Sequence, residues 1–197
     1  DVTVTEGAGM LFTVTLNNAV SGGFSVTTGY TGGTATGGGL PLVSPEDYNN
    51  APQVLNFAGT AGETQQFTVA TLNDAILEGP ETFTITLSAS NSAIVDSDTA
   101  TGTINDNDSA AITIGDVTAT EGTGLQFTVT LNNAVANGFT VTSGYTDGTA
   151  TGGLPVLTSP EDYNNAPQVL NFAGTAGETQ QFTVATLDDA IVEGTET

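Results

Sequence analysis

The chain repeats itself. The run DVTVTEGAGMLFTVTLNNAV from Asp1 returns as DVTATEGTGLQFTVTLNNAV from Asp116, and SPEDYNNAPQVLNFAGTAGETQQFTVATL from Ser44 returns unchanged from Ser159. The period is 115 residues, and about four fifths of the overlapping positions are identical. That length is too long for one turn of a solenoid and right for one globular domain, so tandem modules are predicted. Residues 116–197 match residues 1–82, and the stretch from Phe83 to Gly115 occurs once. The expected division is a first repeat over 1–109, lacking a strand before residue 1, and a second over 110–197, lacking its last third. The strand AITI, Ala111–Ile114, precedes only the second copy. The chain reads as an interior piece of a longer array.

Within each module the runs LFTVTL, FSVTTGY, QVLNF, QQFTVATL and TFTITLS alternate apolar residues with Thr, Ser or another polar residue. This is the period-two pattern of half-buried strands, and Gly- and Asn-rich clusters such as NNAVSGG, TGGTATGGG and AGTAGET separate them. About seven short strands in a module of this size predict an all-β fold, an antiparallel β-sandwich. Regular TxT pairs also occur on flat ice-binding faces, but those faces need the solenoid repeat that this period rules out.

Charge sets the second constraint. There are 22 acids and no Lys, Arg or His, so the formal charge of -22 cannot be relieved by any internal salt bridge. The acids are also bunched: ATLNDAILEGPETF places Asp74, Glu78 and Glu81 close together, and ATLDDAIVEGTET does the same for Asp188, Asp189, Glu193 and Glu196. Two carboxylates about 5 Å apart repel by roughly 3 kcal/mol at an effective dielectric of about 20, so such clusters oppose folding unless a cation sits among them. Oxygen-only donors without His or Cys favour Ca2+ over zinc or copper. A chain without bases cannot neutralise phosphates, which excludes nucleic acid and anionic membrane surfaces as partners. The absence of Cys removes disulfides and thiol chemistry, leaving bound ions as the available staples. No run approaches the length of a membrane span, so direct membrane insertion is not expected.

The blocks TEGAGMLFTVTL, GTATGG followed by EDY, LNFAGTAGETQQFTV, LNDAILEGPETFTITL and the closing GTINDND, in that order and spacing, resemble the Calx-beta domain. The resemblance covers nearly the whole chain and implies tandem immunoglobulin-like sandwiches that bind calcium at one end. Carried over by position, it implies metal ligands at Glu6, Asp47, Asp74, Glu78, Glu81, Asp106 and Asp108, with the carbonyl of Ile76 as a further ligand. In the second copy it implies Glu121, Asp162, Asp188, Asp189, Glu193 and Glu196, with the carbonyl of Ile191. Asn73 stands where the second copy has Asp188, and Asn107 interrupts the closing acidic run, so the first copy is expected to hold weaker sites or fewer ions. The second copy has no closing DND within the chain.

The geometry is reasonable apart from the family. Glu6 follows a strand, EDY lies in a loop and NDAILEG links two strands, so three loops can meet at one pole, with NDND beside them. DNDSAAITIG lacks the Gly and the twelfth-position Glu of an EF-hand. Asp96 and Asp98 in VDSDT read as a turn, and Tyr48 and Tyr163 as packing aromatics. Without Trp, His or Lys there is little to support glycoside hydrolysis or other acid–base catalysis, so no enzyme is expected. Extracellular calcium modules bind at about 10⁻⁴–10⁻³ M, which points to secretion or cell-surface display, by a microbe. The expected function is a calcium-binding structural repeat of an extracellular adhesin, stalk or fibre, with calcium stiffening the module junctions. Its expected partners are neighbouring Calx-beta repeats, like subunits in a fibre or a surface ligand. The alternative is a calcium-sensing regulatory module of a larger membrane or secreted protein.

Overall fold

The computed structural model describes residues 1–154, 156–192 and 194–197, and among these there is no helix. The chain divides into two units, Asp1–Asp108 and Ser109–Thr197. The first contains β1 (Val2–Thr5), β2 (Met10–Thr15), β3 (Phe24–Gly32), β4 (Gly37–Gly38), β5 (Tyr48–Asn49), β6 (Val54–Phe57), β7 (Thr64–Val69), β8 (Ile76–Leu77), β9 (Glu81–Ala89) and β10 (Thr99–Asn105).

Alternation decides which face of each strand goes inward. Along β2, Met10 and Phe12 are buried while Leu11 and Thr13 face solvent, and β6 and β7 follow the same rule. One sheet has the order β1-β10-β9-β3-β6, antiparallel except for the parallel pair β1 and β10. β2 and β7 form the facing pair, with Phe12 opposite Phe67 and their rings stacked 5.4 Å apart. Both sheets contribute to one core, which makes the unit a sandwich. At its centre Tyr48, only 1% exposed, stacks on Phe83 with ring centroids 3.8 Å apart. Gly102 on β10 makes room for this stack, since a Cβ there would lie 2.5 Å from the Phe83 ring.

The second unit contains β11 (Ile112–Ile114), β12 (Leu125–Leu131), β13 (Ala134–Val135), β14 (Phe139–Thr142), β15 (Gly152–Gly153), β16 (Tyr163–Asn164), β17 (Val169–Phe172) and β18 (Thr179–Val184). β11-β12-β18 form one sheet, β14 pairs with β17, and β15 with β16. Its core centres on Val129, Leu131, Leu170, Phe172, Phe182 and Val184. The near-identical runs FSVTTGY and FTVTSGY differ in outcome. The first lies within the nine residues of β3, whereas the second gives only the four of β14. The last part of β3 is strand because β9 pairs with it, Tyr30 opposite Ile85 and Gly32 opposite Phe83.

Candidate metal centre

In the first unit Glu6, Asp47, Asp74, Glu78, Glu81 and Asp106 line one small cavity, floored by Leu72 and Ile104. Four pieces of chain deliver them. Glu6 leaves β1, where its amide continues the parallel ladder by donating to the Asn105 carbonyl (3.0 Å). Asp47 precedes β5 and is fixed twice, its carboxylate accepting from the Thr36 amide (2.6 Å) and its carbonyl from the Leu72 amide (2.9 Å). Asp74 makes a local turn in which its carboxylate accepts from the Ile76 amide (2.9 Å). Asp106 leaves β10 and ties two loops together, accepting from the Glu78 amide (2.7 Å) and the Asp108 amide (2.8 Å).

The side chains form two groups of three, Glu6 with Asp106 and Asp108, and Asp47 with Glu78 and Glu81; each residue offers an oxygen within 4.8 Å of the others in its group. Two oxygens no farther apart than that can both touch an ion about 2.4 Å from each, the range of Ca–O bonds. Glu6 Oε1 and Asp108 Oδ2 are buried with no hydrogen-bond partner. Facing carboxylates are acceptors only, so neither can satisfy the other unless a proton or a cation lies between them. The oxygen-only donor set therefore fits a hard divalent cation.

The electrostatics agree. Burial first, then Asp108 beside it, pushes the Glu6 carboxyl up to about 7. Burial and then Asp47 push Glu81 up to about 8. Glu78 is raised as well, by burial and then by repulsion from Asp47, Asp74, Asp106 and Asp108.

Ile76 does not line the cavity; its amide serves Asp74. Asn73 also lies outside the lining: its side-chain amide donates to the Asp74 carbonyl and its Oδ1 accepts from Asn107 Nδ2 (both 3.0 Å). These two asparagines clamp the loop after β7 to the loop after β10, a role that no spacing in the sequence signals. Asp96 and Asp98 cap backbone amides of Ala89 and Thr99 in the loop joining β9 to β10.

The second unit reproduces part of this frame. The Asp162 carboxylate accepts from the Thr151 amide (2.6 Å), its carbonyl from Leu187 (2.9 Å), and Asp189 accepts from the Ile191 amide (2.7 Å). Glu121, Asp188 and Glu196 are exposed. Glu193 lies outside the described residues. Among the described residues no acidic group of three forms in this unit. The positions equivalent to Asp106 and Asp108 fall after Thr197, and the counterpart of the Asp47, Glu78 and Glu81 group includes Glu193.

Sandwich modules that gather carboxylates from several loops at one pole define a class of acidic, cation-binding β domains. The family model of the Calx-beta domain matches residues 1–108 and again 112–197, so the chain belongs to the Calx-beta family. Similar solved structures include an apo-form Calx CBD1 domain, 26% identical, with 54% of this chain and 90% of that one covered at a TM-score of 0.42. The calcium binding domain CBD12 of CALX1.1 is 22% identical over 95% of this chain and 73% of that one, at 0.45. CBD12 from CALX1.2 is 20% identical over 97% and 73%, at 0.42. No curated protein matches the chain.

Proposed function

We propose that the first unit binds calcium at the pole formed by Glu6, Asp47, Asp74, Glu78, Glu81, Asp106 and Asp108. The observation that carries this reading is the pair of buried carboxylate oxygens, Glu6 Oε1 and Asp108 Oδ2, left without a hydrogen-bond partner inside a triad of acids. A buried charge without a partner is costly, and an ion supplies the missing one. Glu6, Asp106 and Asp108 would hold one ion and Asp47, Glu78 and Glu81 a second, with Asp74 able to join either. Titration calorimetry on chelator-stripped protein tests this. Calcium binding that is lost in the Asp106→Asn, Asp108→Asn double variant supports the reading, and no heat on adding calcium to the wild type overturns it.

The role proposed for that binding is structural: a non-catalytic repeat of an extracellular or cell-surface adhesin, stalk or fibre, in which calcium stiffens the junction between modules. Near-identical copies in tandem, the lack of bases and the position of Asp106 and Asp108 at the end of the first unit support it. The regulatory alternative rests on the same pole, because carboxylates that repel one another without an ion and close around one make a calcium-dependent switch. Solution scattering on two complete repeats separates the two readings. A distance distribution that narrows in calcium, and does not narrow in the double variant, supports the stalk.

A further inference from the structure

In the first unit the acidic runs of the pole are interrupted at two positions. Asn107 stands between Asp106 and Asp108, and Asn73 precedes Asp74, where the second copy has Asp188. These two neutral residues lie 34 apart in the chain, and the fold brings them together. Asn107 Nδ2 donates to Asn73 Oδ1 (3.0 Å), while Asn73 Nδ2 donates to the Asp74 carbonyl (3.0 Å). A third loop meets them. Gly7, in the turn after β1, holds φ at +75°, and a Cβ there would lie 2.9 Å from Asn73 Cβ. Its amide donates to the Leu72 carbonyl (2.9 Å). The second copy keeps this seat, with a Cβ on Gly122 lying 2.6 Å from Asp188 Cβ.

The bridge spans the boundary between the two acidic groups. On one side the segment after β10 carries Asp106 and Asp108, which group with Glu6; on the other the loop after β7 leads through Asp74 to Glu78. Asp106 crosses between them, accepting from the Glu78 and Asp108 amides. Like charges on both sides drive the two segments apart. A chain without Lys, Arg or His has only neutral donors with which to join loops that carry acids, and a pair of side-chain amides does so without adding charge.

We propose that the Asn73–Asn107 bridge is a calcium-independent latch, which holds the segment after β10 against the loop after β7 so that Asp106 and Asp108 stay in register with the other ligands before an ion arrives. Its bearing on calcium rests on the reading of the pole given above. Both asparagines are positioning residues, since neither lines the cavity. The direction of the hydrogen bonds makes the latch distinctive. Asn73→Asp leaves an acceptor for Asn107 Nδ2, and Asn107→Asp is met by turning the Asn73 amide so that its Nδ2 donates across. Each single change gives up the bond to the Asp74 carbonyl and keeps the bridge. Only the two together set carboxylate against carboxylate with no donor between them.

The test follows amide hydrogen exchange of the full chain in excess chelator at the Glu78 and Asp108 amides, with the β2 and β7 ladder as reference. Each single variant is expected to speed exchange by about twofold or less, and the double variant by about tenfold or more, well beyond the product of the two. Single effects that simply multiply, or a double variant as protected as the wild type, overturn the latch. Exchange that quickens equally along β2 and β7 overturns it too, because the asparagines then serve the stability of the whole unit. Saturating calcium should bring the double variant back to within about twofold of the wild type, since an ion between the two new carboxylates replaces the lost bridge. A double variant that stays fast in calcium, beside a wild type that binds it, overturns the latch as a device of the metal centre. A wild type that binds no calcium overturns the calcium reading instead, and the chelator comparison still decides the latch.

Discussion

The carboxylate of Glu63 accepts from three amides, those of Ala58 (2.9 Å), Gly59 (2.9 Å) and Thr60 (3.2 Å), closing the turn between β6 and β7. Glu178 does the same for Ala173, Gly174 and Thr175 in the second copy. Gly59 holds φ at +95°, a conformation open to glycine at little cost, so its amide can point at the carboxylate. The Ala58 amide first, with Gly59 and Thr60, holds the Glu63 carboxyl below the usual carboxylate range. A depressed folded pKa contributes stability above the ordinary carboxylate value and loses it as pH falls through the folded one. Glu63→Gln is therefore expected to lower the melting temperature at about pH 7, by an amount that shrinks as pH falls below the ordinary carboxylate range. The loss should be smaller than that from Tyr48→Ala, which removes a buried ring worth about 3–5 kcal/mol. A gap between Glu63→Gln and wild type that stays constant as the solution is acidified would show that the charge is not what holds the turn. The sequence marked AGTAGET as a separator between strands but not as a carboxylate-capped turn. Composition counts acids without distinguishing one that caps amides from one that faces other acids.

At the scale of elements, period-two alternation was enough to locate β2, β3, β6, β7 and β9, because each has one face in the core. Strand length was not legible, since it depends on a partner: FSVTTGY lies within a nine-residue strand because β9 pairs along it, whereas FTVTSGY, without such a neighbour among the described residues, gives four. Convergence of the acids was legible from three strand-linking loops and the closing NDND. Their division into two triads was not, because it depends on Asp106 reaching across to the Glu78 amide. The raised carboxyls give this pole a pH signature. With folded values of about 7 for Glu6 and about 8 for Glu81 against an ordinary 4.5, the stabilisation from keeping them protonated is present below about 4.5 and lost as pH rises toward 8. In chelator the first unit's melting temperature is expected to fall between about pH 5 and pH 8, and saturating calcium should remove most of that slope by replacing the protons. A metal-free melting temperature that rises over this range would contradict the mutual repulsion drawn here. A third change tests packing: Gly102→Ala drives a methyl into the Phe83 ring and should cost about 1–3 kcal/mol in denaturant unfolding, as overpacked cores do. An unchanged midpoint would mean that the Tyr48–Phe83 stack yields freely.

For the whole molecule, the two units share a repeated sequence, but the stretch Phe83–Gly115 occurs only in the first, whose five-stranded sheet and acidic pole are both assembled. Two units with separate cores need not unfold together, so two transitions are expected by calorimetry. The first unit holds the larger core, including the stacked Tyr48 and Phe83, and should melt at the higher temperature once calcium offsets its clustered charge. An ion at about 100 times its dissociation constant adds about 2.7 kcal/mol to the state that binds it, or roughly 10–20 °C for a domain of about 100 residues. Calcium should therefore move the upper transition by that order, through the two acidic groups of the first unit. Asp106→Asn with Asp108→Asn should reduce the calcium shift of the upper transition while leaving the lower one untouched, since both residues belong to the first unit. Neutralising them also relieves repulsion on Glu6 and Glu78, so in chelator the variant should melt slightly above the wild type. The crossing of the two curves, variant more stable without calcium and wild type more stable with it, is what separates an ion site from a merely structural cluster. Parallel curves that keep the wild type more stable in both conditions would assign Asp106 and Asp108 to the fold and remove them from the site.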